Sequence, residues 1–321
     1  MGSSDKFILN HKYQYKLQGK KIFVAGHQGM LGSSICRRLE KENVEVLSIS
    51  HNKLDLTRQS DVEHWVEANR PDAIIIAAAK VGGIYANDNY PAEFIYQNLA
   101  IEQNLIQAAH LYEVEKLVML GSSCSYPKMA PQPIMESSLM SGKPESTNQW
   151  YTVAKIAGIK LCEAYRKQYD HDFISIVPAN LFGPRDSFDP LNSHVIPGLI
   201  KKLHESKISN EPNVVIWGSG KQKREFMYVD DASDAIIFLM QNYSSNDVIN
   251  VGTSEEITIR QLTKKIANIV GYQGELVYDT SKPDGAPRKV LDVSRLHALK
   301  WYHTTNFDAG LDKTYQWFLQ N

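Results

Sequence analysis

The sequence predicts an α/β protein, a doubly wound parallel sheet joined to a smaller mixed α/β domain. Three observations carry that expectation. Short continuous apolar runs alternate with helix-length segments up to about residue 180, the pattern of strands covered on both faces by crossover helices. The first run leads directly into three spaced glycines, Gly26, Gly29 and Gly32. Beyond about residue 180 the alternation stops, and helix-like and strand-like pieces mix.

Taken in order, residues 1–18 are polar with scattered aromatics and no period, and read as a loosely attached extension. Residues 20–25 (KKIFVA) are β-branched and aromatic, a buried strand. A helix follows to about residue 41, then a second strand over 44–48, a helix over 61–69 and a third strand over 73–78. A long helix spans about 91–112, a fourth strand 117–120, a helix about 148–169 and a fifth strand 173–177. Two later pieces, 225–239 and 248–252, are candidates to rejoin the first sheet. The expected division is 19–180 (with about 225–252) for the first domain and mainly 181–321 for the second.

With 321 residues, two domains are the natural size. A formal net charge of −1 carries no basic excess, so nucleic acid is not an expected partner. The apolar run 73–79 is too short to cross a bilayer, and no charged segment at the N-terminus leads into an apolar stretch, so neither a membrane nor a secretory signal is expected. Cys36, Cys124 and Cys162 are odd in number and widely spaced. They suggest free thiols in a reducing, cytoplasmic setting, with no metal site.

The spacing GHQGMLG after a strand and before a helix is chemistry-bearing. A tight turn without Cβ lets backbone approach a pyrophosphate, and the helix N-terminus supplies partial positive charge. A Rossmann-type dinucleotide site is therefore expected. After the second strand the chain reads Ser48-Ile49-Ser50-His51-Asn52-Lys53, with no acid for a ribose hydroxyl pair, which favours NADP(H) over NAD. Asp55-Leu56 stands where an acid either meets the adenine edge or begins the next helix.

Gly121-Ser122-Ser123-Cys124 lies past the fourth strand, at the carboxyl edge of the sheet where such folds place their chemistry. Tyr151 and Lys155, four apart, share one helix face. A neighbouring ammonium is expected to lower the phenol pKa from about 10, so that Tyr151 exchanges a proton near neutrality, while Ser122 hydrogen-bonds the same substrate oxygen.

These residues resemble the extended short-chain dehydrogenase/reductases. AAAKVGGI (77–84), GSSCSYPK (121–128), YTVAKIAGIKLCE (151–163), PANLFGP (178–184), NSHVIP (192–197), WGSG (217–220) and KPDGAPRK (282–289) narrow the resemblance to the GDP-L-fucose synthases, from about residue 20 onward. The resemblance implies conversion of GDP-4-keto-6-deoxy-D-mannose to GDP-L-fucose, by inversion at C3 and C5 and NADPH-dependent reduction at C4. It implies Ser122, Cys124, Tyr151, Lys155 and His194 as catalytic residues, with Cys124 and His194 moving protons on opposite faces of the sugar. Gly26, Gln28, Gly29, Met30, Leu31, Gly32, Asp55, Leu56, Ala78, Leu120, Gly121, Tyr151, Lys155, Pro178, Asn180, Leu181 and His194 would line the cofactor. Ser122, Ser123, Asn180, Lys202, Trp217, Arg224, Asp284 and Lys289 would hold the GDP-sugar, with Arg224 and Lys289 on the diphosphate. Gln28 and Lys202 stand where bacterial members often carry Arg, and Lys keeps the charge without the bidentate fork. The resemblance also implies a homodimer, through a four-helix bundle of the helices at about 91–112 and 148–169.

Two classes of rival function are weighed against this, another nucleotide-sugar enzyme of the same fold and a non-catalytic regulator. A 4,6-dehydratase of the same fold would be expected to carry Glu or Asp near the serine loop, where Cys124 stands, and a simple 4-epimerase needs neither Cys124 nor His194. A non-catalytic NADP-sensing regulator would typically have lost Tyr151 or Lys155.

Overall fold

The computed structural model describes residues 14–189, 193–282 and 284–321. Residues 1–13 of the expected extension, Asn192 and Pro283 lie outside the described residues. The described end of that extension is not loose. Leu17 is buried in the core, and Tyr15 donates its backbone N–H to Gln241 O (2.8 Å) and its hydroxyl to Glu115 (3.0 Å). Two apolar anchors in a polar segment are enough to tie it down.

The first half builds β1 (Lys21–Ala25), α1 (Met30–Leu39), β2 (Glu45–Leu47), α2 (Gln59–Asn69), β3 (Ala73–Ile76), α3 (Ile84–Asn89), α4 (Pro91–Leu111), β4 (Lys116–Leu120), α5 (Gln149–Tyr169) and β5 (Asp172–Pro178). α3 has no counterpart in the sequence reading, since six residues are too few to display a period. Then come β6 (Asn180–Phe182), α6 (Val195–Ile208), β7 (Asn213–Trp217), β8 (Lys223–Arg224), β9 (Phe226–Tyr228), α7 (Val229–Asn242) and β10 (Ile249–Val251). The chain finishes with β11 (Ile257–Thr258), α8 (Ile259–Val270), β12 (Glu275–Asp279), β13 (Arg288–Lys289), α9 (Ser294–Ala298) and α10 (Phe307–Gln320).

The main sheet runs β10-β5-β4-β3-β1-β2, with every neighbouring pair parallel. β10 comes from the later part of the chain, so that piece does rejoin the first sheet. Strand alternation decides the two faces. Ile22, Val24, Ile75 and Val118 pack into one core with Ile35 and Leu39 of α1 and Ile236 and Met240 of α7. Phe23, Ile74, Ile76, Leu117 and Met119 pack into another with Val66 of α2, Leu105 of α4 and Cys162 of α5. Each large buried side chain contributes about 1.5–3 kcal/mol, which exceeds the roughly 1–2 kcal/mol of fixing its backbone. Strands of four or five residues therefore hold. A third core joins α6, α8 and α10 to β7.

The small sheet β11-β8-β13 is tied to the large one through a buried side chain, Glu225, among other contacts. Glu225 lies between β8 and β9. Its Oε1 accepts from the N–H groups of Thr253 (2.6 Å) and Ser254 (2.8 Å), just past β10, and its Oε2 from that of Leu291 (2.7 Å), just past β13. Gly252 gives it room, since a Cβ there would lie 2.2 Å from Oε1.

Glu225→Ala orphans three backbone donors at once. At 1–3 kcal/mol for each unmet buried group, the variant should lose about 3 kcal/mol or more of stability. A urea melt measures this, and an unchanged midpoint would remove Glu225 as a registering contact.

Candidate active site

The glycine turn is shaped by close backbone approach. Gly26 has φ +87°, and a Cβ on it would lie 2.6 Å from Ala78 N, just past β3. A Cβ on Gly32 would lie 2.1 Å from Gly26 O. Gly29 is the N-cap of α1, which has neither a side-chain cap nor an acid in its first turn. Its first N–H groups are thus left for an anion. Gln28 is exposed, and Met30 and Leu31 are half-buried around the turn. His51, Asn52 and Lys53, after β2, are exposed. The cradle, the bare helix end and the lack of an acid after β2 fit NADP(H). Asp55 is used locally. Its Oδ1 accepts from the backbone (3.0 Å) and hydroxyl (2.8 Å) of Thr57, and those bonds hold its pKa below the usual carboxylate value. It does not cap α2, whose N-cap is Arg58. Leu56 O accepts from Asn104 (2.9 Å).

Leu120 and Gly121 end β4 buried, and a single tight turn, Ser123–Ser125, follows. Ser122 Oγ accepts from Cys124 N at 3.2 Å, Ser123 is buried, and Thr152 Oγ1 of α5 donates to Cys124 O at 3.1 Å. These contacts hold the thiol beside the start of α5. Lys289 Nζ, from β13, lies 3.4 Å from Cys124 Sγ. Burial pushes the thiol pKa up. The charge of Lys289, with hydrogen bonds from Ser122, Lys289 and Asn148, more than offsets it, and the result lies below an ordinary thiol.

Tyr151 reverses the sequence expectation. Its pKa is raised, not lowered. Burial is the largest cause, the nearby Cys124 and Glu102 add to it, and Lys155 and Ser122 oppose it. Lys155 lies 5.7 Å from the Tyr151 ring centre, but its closest anion is Glu102 Oε1 at 2.9 Å. Spacing alone credits the ammonium and omits the desolvation.

His194 is the N-cap residue of α6, and desolvation by surrounding protein lowers its pKa. Among the described residues it has no hydrogen bond to Cys124 or Tyr151. Pro178 ends β5 buried; Leu181 is half-buried in β6, and Asn180 there donates to Glu225 O (2.9 Å). Lys202 donates to Val215 O (2.6 Å), and burial lowers its pKa. Arg224, on β8 in register with Lys289, has its pKa lowered by burial and lies within electrostatic reach of Cys124. Trp217 is 69% exposed, at the end of β7. The carboxylate of Asp284 accepts from Ser219 N (2.6 Å) and Oγ (2.7 Å), so it braces the turn after Trp217.

The model of the NAD dependent epimerase/dehydratase family matches residues 22–252. The chain is 53% identical over 307 residues to the GDP-L-fucose synthase of Sinorhizobium fredii, covering 96% of this chain and 98% of that one. It is 51% identical over 314 residues to the GDP-L-fucose synthase of Escherichia coli, covering 94% and 97%. The chain belongs to the NAD dependent epimerase/dehydratase family, with the GDP-L-fucose synthases. A solved GDP-L-fucose synthetase of Naegleria fowleri bound to NADP superposes with a TM-score of 0.89 at 29% identity, covering 97% of both chains.

Within this family frame, the structure brings together Ser122, Cys124, Tyr151, Lys155 and Lys289. Lys289 sits at the thiol, and Asp284 braces the loop after Trp217. Asn98 was missed. It accepts from Lys80 N (2.9 Å) and donates to Lys80 O (3.0 Å), so it holds the loop after β3 against α4. Its signal was available, as a polar residue on the buried face of an apolar helix.

Lys289→Gln should raise the pKa of Cys124, because it removes the main opposing charge. The acidic limb of iodoacetamide alkylation would move to higher pH, by about one unit. A Cys36→Ser background removes the other partly exposed thiol. An unmoved limb would show that Lys289 does not govern the thiol.

Proposed function

We propose that this protein converts GDP-4-keto-6-deoxy-D-mannose to GDP-L-fucose, by epimerisation at C3 and C5 followed by NADPH-dependent reduction at C4. The observation that carries this reading is the Lys289 ammonium 3.4 Å from the Cys124 thiol, on a turn tied to the start of α5 where Tyr151 and Lys155 stand, an arrangement that favours a lowered thiol pKa beside a raised phenol pKa. Epimerisation needs a base and reduction needs an acid, and pKa values pushed apart supply both at one pH.

The hydrogens on C3 and C5 are acidic because both carbons adjoin the C4 ketone. Cys124 as thiolate takes the proton, and the electron pair moves to O4 as an enolate. Ser122 and Tyr151 donate hydrogen bonds to that oxygen. His194 as imidazolium returns a proton to the opposite face, and its lowered pKa makes it the stronger acid. Thiol and imidazole then exchange protons with solvent, and the cycle repeats at the second carbon. Reduction removes the ketone and with it the acidity, so epimerisation comes first. The cofactor supplies hydride to C4. Tyr151 gives its proton to O4, and a raised pKa keeps that proton in place until it is needed.

In this reading residues 19–180 with about 225–252 bind the cofactor at the glycine cradle, and 181–321 mainly bind the GDP-sugar. Arg224 and Lys202 offer positive charge to the diphosphate, Asn180 and Ser123 are polar contacts, and Trp217 is an exposed face for stacking. We also propose a homodimer that pairs α4 and α5 of two copies, where Tyr96, Leu111, Val153 and Tyr169 are exposed. A cytoplasmic setting accords with the three free cysteines. No helix among the described residues is long and apolar enough to cross a membrane.

The test is Cys124→Ser in deuterated water with NADPH and the keto-sugar. Wild type should place deuterium at C3 and C5 and yield GDP-L-fucose by NMR. The variant should exchange neither position, since a hydroxyl is a far weaker acid than a thiol, while Tyr151 still permits reduction to a product of the wrong configuration. Exchange at the wild-type rate would leave Cys124 a buried thiol with no part in the chemistry.

A further inference from the structure

Between α4 and α5 lies a buried ion pair that the reaction steps above do not use. Glu102 on α4 and Lys155 on α5 meet at 2.9 Å, with 2% and 3% of their side chains exposed. Among the described residues neither oxygen of Glu102 has a further hydrogen-bond donor. α5 makes space for the carboxylate with Gly158, where a Cβ would lie 2.4 Å from Oε2. Gly158 stands three residues after Lys155 and seven after Tyr151, so the carboxylate lies along the helix face that carries both. Replacing a buried ion pair by apolar residues of similar volume is often neutral or stabilising. Stability alone therefore does not account for this one.

We propose that Glu102 is a positioning residue of the catalytic centre, its carboxylate anchoring the Lys155 ammonium so that Lys155 and Tyr151 act as one unit in reduction. The inference rests on the function proposed above. The ionisable groups facing the carboxylate are Lys155, Tyr151 and the buried thiol of Cys162, all on α5, with Cys124 beyond Tyr151. Without the anion, Lys155 loses the ion-pair partner it has among the described residues, and its charge bears on Tyr151 uncompensated. Glu102 raises the pKa of Lys155 and of Tyr151, though burial is the largest influence on both. Burial also raises the pKa of Glu102, and the Lys155 ammonium at 2.9 Å opposes that rise and favours the carboxylate.

Glu102→Gln keeps the shape and removes the charge. Tyr151 and Lys155 should then release their protons at lower pH. The alkaline limb of kcat for reduction should move down by about one pH unit, a tenfold lower rate on that limb. Deuterium exchange at C3 and C5 should continue, and Glu102→Asp should restore the limb towards wild type. A pair with only a structural role predicts something else, a lower melting temperature or a uniformly lower kcat with the limb unmoved, and that result overturns the inference. The ring-carbon NMR signal of Tyr151, titrated without substrate, reads the same shift independently of turnover. If wild type fails to reduce the keto-sugar, the proposed function falls. The NMR titration of Glu102→Gln against wild type still decides whether Glu102 governs Tyr151.

Discussion

The site depends on how the carboxylate of Glu225 is satisfied. A carboxylate out of solvent is costly unless donors surround it. Glu225 meets that demand with backbone N–H groups from two separate segments, 253–254 and 291. Those segments are thereby held against β8, and β8 in turn pairs with β13. Arg224 and Lys289, opposite each other in that pairing, face the turn that follows β4. A small sheet of two-residue strands has little apolar area of its own to fix its place. The buried carboxylate helps to do so, and the cation beside Cys124 is a product of that registration.

The charge of the site is local. The chain as a whole is almost neutral, yet Lys289 and Arg224 lie within electrostatic reach of Cys124, and Lys155 within reach of Tyr151. Two of these cations are tied to acid–base groups. Lys289 holds the thiol low, and Lys155 is balanced by Glu102 rather than left to ionise the phenol. Both cations lower the pKa of the acid beside them, and only at Tyr151 is that effect outweighed, first by burial and then by the nearby anions.

Much of the fold was legible because its signals are short-range. Continuous apolar runs marked β1 to β5, and Gly26 and Gly32 announced a turn that no Cβ tolerates. Ser122, Cys124, Tyr151 and Lys155 follow strands and helices whose order places them at one edge. The rest depends on contacts between distant segments. Nothing near Glu102 in sequence indicates Lys155, and nothing near Lys289 indicates Cys124. Spacing also does not show that Asp55 accepts from Thr57 and Asp284 from Ser219, contacts that fix where the two carboxylates stand. The direction of the Tyr151 shift was lost for a related reason. A four-residue interval reveals the ammonium, but desolvation belongs to the whole site.

The two proposed half-reactions put opposite demands on one cleft. Deprotonation at C3 and C5 requires an anion at sulfur, and reduction requires a proton kept on the phenol oxygen. An ordinary thiol and an ordinary phenol differ by only about 1.5 pH units, a narrow window in which both are correctly poised. Lowering the first and raising the second widens it from both sides. Each shift also helps the other, since an anionic Cys124 is one of the groups that raise Tyr151. The thiolate that starts the epimerisation thus helps to hold in place the proton that completes the reduction. That coupling follows from placing one turn after β4 against the first turn of α5.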